Sequence, residues 1–302
     1  MRAAILAIAS VTLSMVSAAS AQQPRVTNGR LDPQAAGSNL DATFRRLVSS
    51  VTSEPAWVGY SVPIAVGRDR NLCCYGENTW ISDGVVISNG RLNTCGLEPG
   101  DRTVRTSQGQ PLPNQGPIRL EGPETMTVLF RVEGKEVQRI RFFSPDCELD
   151  AGGRTIHWMD AVDAGQSVTL LKTFVATDKL RSTALAAIAM HKDDLSVPAL
   201  IDLARRDPQT KVRGDALFWL GQKAGEKAVG EITSAIDNDP ETEVKRRAVF
   251  ALSQLPKDEG IPLLIKVAKT NQNPAVRKQA MFWLGQSRDP RALDFFAEIL
   301  GK

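Results

Sequence analysis

The sequence predicts an α+β protein, in which a disulfide-bonded, β-rich N-terminal domain is followed by an α-helical solenoid. Three observations favour this fold class: an apolar run at the N-terminus, four cysteines confined to the first half, and a 32-residue repeat in the second half. The composition is that of a globular protein, with 42% hydrophobic and 24% charged residues. A formal net charge of +3 is small for this length and gives no sign of a nucleic-acid partner.

Residues 1–21 have the pattern of a secretory signal peptide. Arg2 supplies the positive start, an apolar run extends to about Val16, and Ala19-Ser20-Ala21 provides the small residues that a signal peptidase recognises. The apolar run is shorter than the roughly 20 residues that a membrane-spanning helix needs. We therefore expect cleavage near Ala21-Gln22 and a periplasmic or secreted mature protein without a transmembrane segment.

The segment between the signal and the repeats divides into two predicted parts. Residues 22–40, rich in polar residues, Pro and Gly, are expected to form a flexible leader, and residues 41–175 a β-rich domain. Its best strand signal is a hairpin over 126–143 with Glu133-Gly134 at the turn. The other predicted elements are a helix over 41–50, strands within 57–62, 80–88, 155–162 and 167–174, and a surface loop over 97–117.

The four cysteines predict structural disulfides, because an even cysteine count in an exported chain is typical of a disulfide framework. A bond between the neighbours Cys73 and Cys74 would close a strained ring. We therefore expect each of them to pair with Cys95 or Cys147, and the sequence does not decide which pairs with which.

Residues 176–302 are predicted to form a solenoid of four 32-residue repeats. The segments VRGDALFWLGQ, VKRRAVFALSQ and VRKQAMFWLGQ begin 32 residues apart, at Val212, Val244 and Val276. One repeat earlier, LRSTALAAIAM begins at Leu180 as an atypical terminal unit. In each segment the apolar spacing i, i+4, i+7, i+8 draws one stripe along a helix. A second apolar pattern follows in register, so each unit is a helix pair that buries its stripe by stacking on its neighbours.

These motifs resemble HEAT-like repeats of the phycobilisome-lyase type, over about residues 177–302. The resemblance implies an armadillo/HEAT-like α-α superhelix. Proteins with such repeats include bilin lyases, a di-iron hydroxylase and many scaffolds, and the hydroxylases hold iron with His-Glu pairs on repeated helices. The repeats here contain one histidine, His191, and no His-Glu pair. The iron chemistry is therefore not expected, and His191 is expected to be solvated in a turn between helices.

A candidate partner-binding surface follows from the repeat period. On a helical wheel, one phenylalanine in each of the last three repeats lies roughly opposite the apolar stripe, and the first repeat has Ala186 there. Trp219 and Trp283 are placed on the stripe itself. Glutamines and cations flank the phenylalanine rings, and the resemblance to HEAT-like repeats places this helix on the concave side. Exposed aromatics beside polar groups are typical of interaction surfaces. The predicted surface comprises Phe218, Phe250, Phe282, Gln222, Gln254, Gln286, Arg246 and Lys278.

A second periodic set consists of cations at the start of the first helices: Arg181, Arg213, Lys245 and Arg277. An anionic ligand track is one interpretation. The resemblance favours a structural one, in which these side chains hold the acidic residue before the helix, Asp207 or Asp239.

The sequence thus favours a binding or scaffold protein for a protein or peptide partner in the cell envelope, with no catalytic residue, metal or cofactor expected. The alternative is an enzyme, or a redox or metal protein, whose site lies in the N-terminal domain. Such a site would use Cys73, Cys74, Cys95, Cys147 and His157.

The cysteine pattern predicts two disulfides and no free thiol in the mature protein. Each bond closes a long loop and is expected to contribute on the order of 2–4 kcal/mol. Intact-mass measurement after alkylation under denaturing, non-reducing conditions should therefore detect no label. Two or more labelled cysteines would instead favour thiol chemistry.

Overall fold

The computed structural model describes residues 23–65, 72, 80–82, 85–87, 94–98, 124–223 and 226–301. The predicted signal peptide, Cys73, Cys74 and most of the predicted loop at 97–117 lie outside the described residues.

The described N-terminal part contains short and long strands with one helix between them. Five strands form a mixed sheet in the order β2-β10-β3-β7-β8, three form a small parallel sheet in the order β1-β9-β6, and β4 pairs with β5. The elements are β1 (Arg25–Thr27), β2 (Arg30–Ala35), α1 (Leu40–Ser50), β3 (Ala56–Pro63), β4 (Trp80–Ser82), β5 (Val85–Ile87), β6 (Thr94–Gly96), β7 (Thr125–Glu133), β8 (Glu136–Phe143), β9 (Glu148–Asp150) and β10 (Thr155–Asp160).

Two predictions for this part are wrong. The leader expected to be flexible contains β1 and β2, and β2 pairs in parallel with β10 over its whole length. Its Pro33 is tolerated because β2 lies at the edge of the sheet. The predicted strand at 167–174 is instead a helix, α2 (Ala164–Lys172), which begins where the Asp163 carboxylate accepts a hydrogen bond from the Gln166 amide.

The predicted hairpin is present as β7 and β8. Its turn is Gly134-Lys135, one residue later than predicted, and both residues have positive φ, 58° and 62°. That combination is the type I′ turn, whose twist matches that of the two strands it joins.

The main sheet is buried on both faces. One face packs against α1, α2 and the first solenoid helix. The opposite face packs against the small sheet, through Trp57, Ile156 and Trp158. Cys95 and Cys147 are buried in this second layer, and each is disulfide-bonded.

The solenoid consists of four helix pairs at the predicted period. The first helices of the pairs are α3 (Asp178–Met190), α5 (Thr210–Gly221), α7 (Thr242–Ser253) and α9 (Pro274–Ser287). The second helices are α4 (Asp193–Arg206), α6 (Glu226–Asn238), α8 (Lys257–Thr270) and α10 (Pro290–Leu300).

The sheet and the solenoid share one hydrophobic core. Helix α3 packs against β8, and a single apolar cluster extends from Phe44 and Phe130 through Leu185 to the last repeat. The predicted boundary at 175/176 therefore lies within a continuous core.

A buried chain of polar side chains crosses this junction. His191, expected to be solvated, is fully buried at the end of α3. Its Nδ1 lies 2.8 Å from the Ala187 carbonyl oxygen and its Nε2 lies 3.0 Å from the Ser167 hydroxyl, which is 2.9 Å from the Tyr60 hydroxyl. Because a carbonyl only accepts, the ring proton is on Nδ1. Ser167 then donates to Nε2, and Tyr60 donates to Ser167.

Next to this chain, the side chain of Lys223 is also buried. Its Nζ donates to Asp193 Oδ1 at 2.7 Å and to the His191 carbonyl at 3.3 Å. The turn after α5 is thereby fixed to the turn after α3.

The cations at the start of the first helices hold the linkers between repeats, which is the structural one of the two interpretations given for them. Arg213 donates to the carbonyl of Asp207 and, at 2.9 and 3.1 Å, to the carboxylate of Asp239 in the next linker. Lys245 donates to the Asp237 carbonyl in the last turn of α6, and Arg277 donates to the Asn271 carbonyl after α8. Carbonyls at the ends of the second helices thus find donors.

We predict that the protein loses stability as the pH falls through the His191 titration. Burial lowers the pKa of His191 below its usual value, a shift that its backbone hydrogen bonds oppose and the nearby Lys223 ammonium reinforces. The unfolded histidine titrates near pH 6.5, so stability is retained above that pH. Below it, protons bind the unfolded state and stability falls, by at most about 1.4 kcal/mol per pH unit.

Urea unfolding at pH 7.5 and pH 5.0 measures this loss. His191→Gln removes the titrating group and should lose less stability between the two pH values than the parent. Equal losses in both proteins would assign the acid sensitivity to other groups.

Candidate binding surface

The first helices of the four pairs form a closely packed layer. Helices α3, α5, α7 and α9 each contact the next one in the series. Between α5 and α7 the space is tight at two glycines, and at Gly221 the neighbouring atoms belong to the backbone, which cannot move aside as a side chain can. A Cβ at Gly214 would lie 2.1 Å from Arg247 Cδ, and one at Gly221 would lie 2.7 Å from the Ala251 carbonyl oxygen. Successive repeats are closest on this side, as on the inner side of a curved solenoid.

Aromatic rings run along this layer from one repeat to the next. Phe218 and Phe250 stack with ring centroids 5.7 Å apart and an interplanar angle of 7°. Phe250 then meets Trp283 at 4.9 Å, and Trp283 meets Phe282 edge-on at 5.0 Å. Phe218 and Phe250 are half-buried, and Phe282 is 53% exposed. We call Phe218, Phe250, Phe282 and Trp283 the aromatic track.

The structure places the predicted amides and cations beside this track. Gln222 and Gln254 follow the last residues of α5 and α7, and Gln286 lies in the last turn of α9. Gln254 and Gln286 are exposed, whereas Gln222 is half-buried.

The two predicted cations are both exposed. Arg246 donates to Gln279 Oε1 at 3.2 Å and pairs with Glu243 at 3.2 Å. Its guanidinium therefore bridges α7 and α9. Lys278 lies on α9 and extends the basic part of the surface by one repeat.

A crevice of about 200 Å³ opens at one end of the track. It lies between the last two repeats, where α7 ends, α8 begins and α9 ends. Trp283, Gln254 and Gln286 line it together with Lys257, so the structure brings two predicted glutamines and one aromatic ring to a single concave site.

The buried stripe of the first helices differs from the predicted one. Val212, Ala216 and Leu220 are fully buried as expected, and so is Leu217. Trp219 and Trp283, placed on the stripe by the sequence, are only half-buried against the core. The buried arc is therefore rotated away from the tryptophans, because each first helix also packs against the first helix of the neighbouring repeat. The rotation moves Trp283 onto the binding surface.

The alternative site in the N-terminal domain is not assembled among the described residues. His157 lies on β10 between Ile156 and Trp158, and alternate residues of a strand face opposite sides of the sheet. The side chain of His157 therefore points away from the layer that contains Cys95 and Cys147. Its Nδ1 lies 2.8 Å from Asp32 Oδ2 instead. Within the described parts of the chain, no group of three or more His, Cys, Asp and Glu residues is placed to hold a metal ion.

Three features of the structure were not predicted from the sequence. The hydrogen-bonded chain of Tyr60, Ser167 and His191 joins residues far apart in sequence, so no local pattern indicates it. The crevice lies between two repeats, where Trp283 of α9 faces the end of α7 and the start of α8, and the pattern within one repeat does not show it. Gly221 was a visible signal of the close approach between α5 and α7, since a glycine in a helix is costly unless another backbone approaches closely.

The stacked helix pairs define an α-helical repeat protein. Residues 229–302 match the family model of HEAT repeats, so this part of the solenoid is of the HEAT-like type. No curated protein matches the chain. No helix in the described ranges is both long and apolar enough to cross a membrane.

Two solved structures resemble the chain in part. The complex of CpcE and CpcF of phycocyanin lyase from Nostoc sp. PCC7120 matches with a TM-score of 0.37 and 17% identity, over 46% of this chain and 91% of that chain. YibA of E. coli matches with a TM-score of 0.30 and 25% identity, over 44% of this chain and 53% of that chain. The chain thus spans about half the length of YibA.

We predict that Trp283→Ala destabilises the protein by about 2–3 kcal/mol, which is less than the 3–5 kcal/mol typical of a fully buried aromatic. Part of the ring surface is already in solvent, and the rest contacts Phe250 and the core. Phe282→Ser is the matched control, because an exposed ring on the same helix should cost no more than about 0.5 kcal/mol. Urea midpoints of the three proteins measure both values. Equal midpoints for both variants would contradict the placement of Trp283.

Proposed function

We propose that the mature protein is a scaffold in the cell envelope that binds a protein or peptide partner along the aromatic track. The observation that carries this proposal is the unbroken contact of Phe218, Phe250, Trp283 and Phe282 across three repeats, with the last ring largely in solvent. Aromatic rings are enriched in protein interfaces because they bury a large apolar area at a low entropic cost. A track of this length suits an extended segment better than a single small ligand.

The groups around the track support a peptide partner. The primary amides of Gln254 and Gln286 each present a donor and an acceptor, the pair of groups that a peptide bond requires. The crevice between them offers space for one side chain against Trp283. Lys278 adds positive charge, which favours an acidic residue in the partner, whereas the charge of Arg246 is paired with Glu243.

Export and the disulfide framework belong to the same proposal. The signal-like segment at residues 1–21 would direct the chain to an oxidising compartment, where cysteine pairs persist. Cys95 and Cys147 are buried and disulfide-bonded, and among the described residues no cysteine is a free thiol. We expect Cys73 and Cys74 to be their partners in two bonds.

Site-specific photo-crosslinking in the cells that make the protein tests this function. A photoreactive phenylalanine analogue at Gln286 lies at the crevice, and the same analogue at Lys266 on α8 serves as the control. Gln286 should give a discrete crosslinked species in the envelope fraction, and Lys266 should not. Crosslinks of equal yield at both positions would mean non-specific contact, and their absence at Gln286 would contradict the proposal.

We predict that Phe282→Ser weakens the partner complex captured at Gln286 by more than 1 kcal/mol, or at least fivefold, because aromatic anchors dominate interface energies. Leu293→Ser is the control, since Leu293 is also exposed (67%) but lies on α10, outside the track. Titration of the purified partner against each variant gives the affinities. Equal affinities for the two variants would exclude the track as the binding surface.

A further inference from the structure

A second cavity lies at the junction between the sheet and the solenoid, far along the chain from the aromatic track. It is enclosed by α1, by the β7–β8 hairpin and by the connection from α2 to α3, and its volume is about 610 Å³. This volume falls within the roughly 300–1,000 Å³ typical of small-molecule sites. We call it the junction cleft.

The floor of the junction cleft is apolar and incompletely covered. Val48 on α1, Val137 on β8 and Phe174 after α2 converge there from three different elements, and each is only half-buried. Beneath them, Phe44 meets Phe174 edge-on at 5.9 Å and Phe130 at 4.8 Å. The floor is thus a rigid aromatic cluster that forms part of the main core, with its outer surface open to a ligand.

The rim of the cleft is predominantly basic. Lys135 at the hairpin tip is exposed, and Lys179 in the first turn of α3 is held by Gln138 Oε1 at 2.6 Å. Arg45 is the third cation, and its charge is neutralised by Asp41 at 2.8 Å.

The acidic groups of the cleft are fewer and less available. Glu136 is exposed beside Lys135. Asp41 is committed to Arg45 through Oδ2, and its Oδ1 is buried without a hydrogen-bond partner. A ligand in the cleft therefore meets two lysine ammonium groups and one carboxylate.

We propose that the junction cleft binds a small amphiphilic carboxylate, with its aliphatic chain on the Val48, Val137 and Phe174 floor and its carboxylate between Lys135 and Lys179. Burial of the chain supplies the affinity, at about 25 cal/mol per Å² of apolar surface. The two ammonium groups supply the preference for an anionic head, since charges at the rim are desolvated little and are not costly to pair. This site is independent of the proposed partner surface.

Isothermal titration with dodecanoate, below its micelle concentration, tests the proposal on the mature protein. Dodecyltrimethylammonium, with the same chain and opposite charge, is the matched probe. We expect one dodecanoate per chain and at least tenfold weaker binding of the cation. Equal binding of both probes, or tighter binding of the cation, would overturn the assignment of an anionic head. Binding only to vesicles that contain phosphatidylglycerol, and not to dodecanoate, would also overturn the proposal, because the site would then recognise a membrane surface.

Two variants separate the head from the chain. Lys135→Gln with Lys179→Gln should weaken dodecanoate binding at least tenfold, whereas Lys227→Gln with Lys266→Gln removes the same charge elsewhere and should change nothing. Val137→Trp fills the cleft and should abolish binding of both probes, with folding checked by circular dichroism. Undiminished binding in the rim variant or in a folded Val137→Trp protein would place the ligand outside the cleft.

Discussion

The packing of the first solenoid helix against the five-stranded sheet is the contact on which the rest of the structure depends. A sheet needs a cover for its apolar face, and a helical repeat array needs a cap at its first unit. Here each supplies what the other lacks, since α3 packs on β8 and both belong to one core. The junction also accommodates Tyr60, Ser167 and His191, three buried polar side chains that satisfy one another. A buried polar chain of this kind stabilises a fold only when each of its members has a partner.

This common core determines where binding surfaces can form. The face of the solenoid that meets the sheet is closed, so the inner layer of first helices is available from the second repeat onward. In this layer, close packing between neighbouring first helices tends to bury the aromatic rings, whereas a binding surface needs them exposed. Phe218 and Phe250 resolve this by stacking on one another, which leaves each ring half-covered by its neighbour. Trp283 continues the ring contacts beyond Phe250 and lines the crevice beside it.

The repeats were predictable because their packing is local and periodic, so that Val212 and its equivalents 32 residues apart recur with the same surroundings. The β7–β8 hairpin was predictable from alternation and a turn that contains Gly134. The strand at 30–35 was not, because it pairs through backbone hydrogen bonds at a sheet edge and its side chains carry no pattern. The residues of the candidate surface could be named from the sequence, but the burial of each side chain could not. A helical wheel describes one helix alone and does not include the contacts between neighbouring first helices. The burial of His191 depends on distant partners that no local sequence pattern encodes.

Gly221 has a consequence for how this solenoid can change during evolution or in engineering. The repeats agree in length, yet the α5–α7 contact leaves no room for a Cβ at Gly221, which would lie 2.7 Å from the Ala251 carbonyl oxygen, whereas the next repeat has Ser253 at the same position. The units are therefore not interchangeable modules. A duplicated or transplanted repeat would need a matching small residue on one side and a compatible helix on the other. Without them the inner layer would open, and the curvature of the array would change at that step.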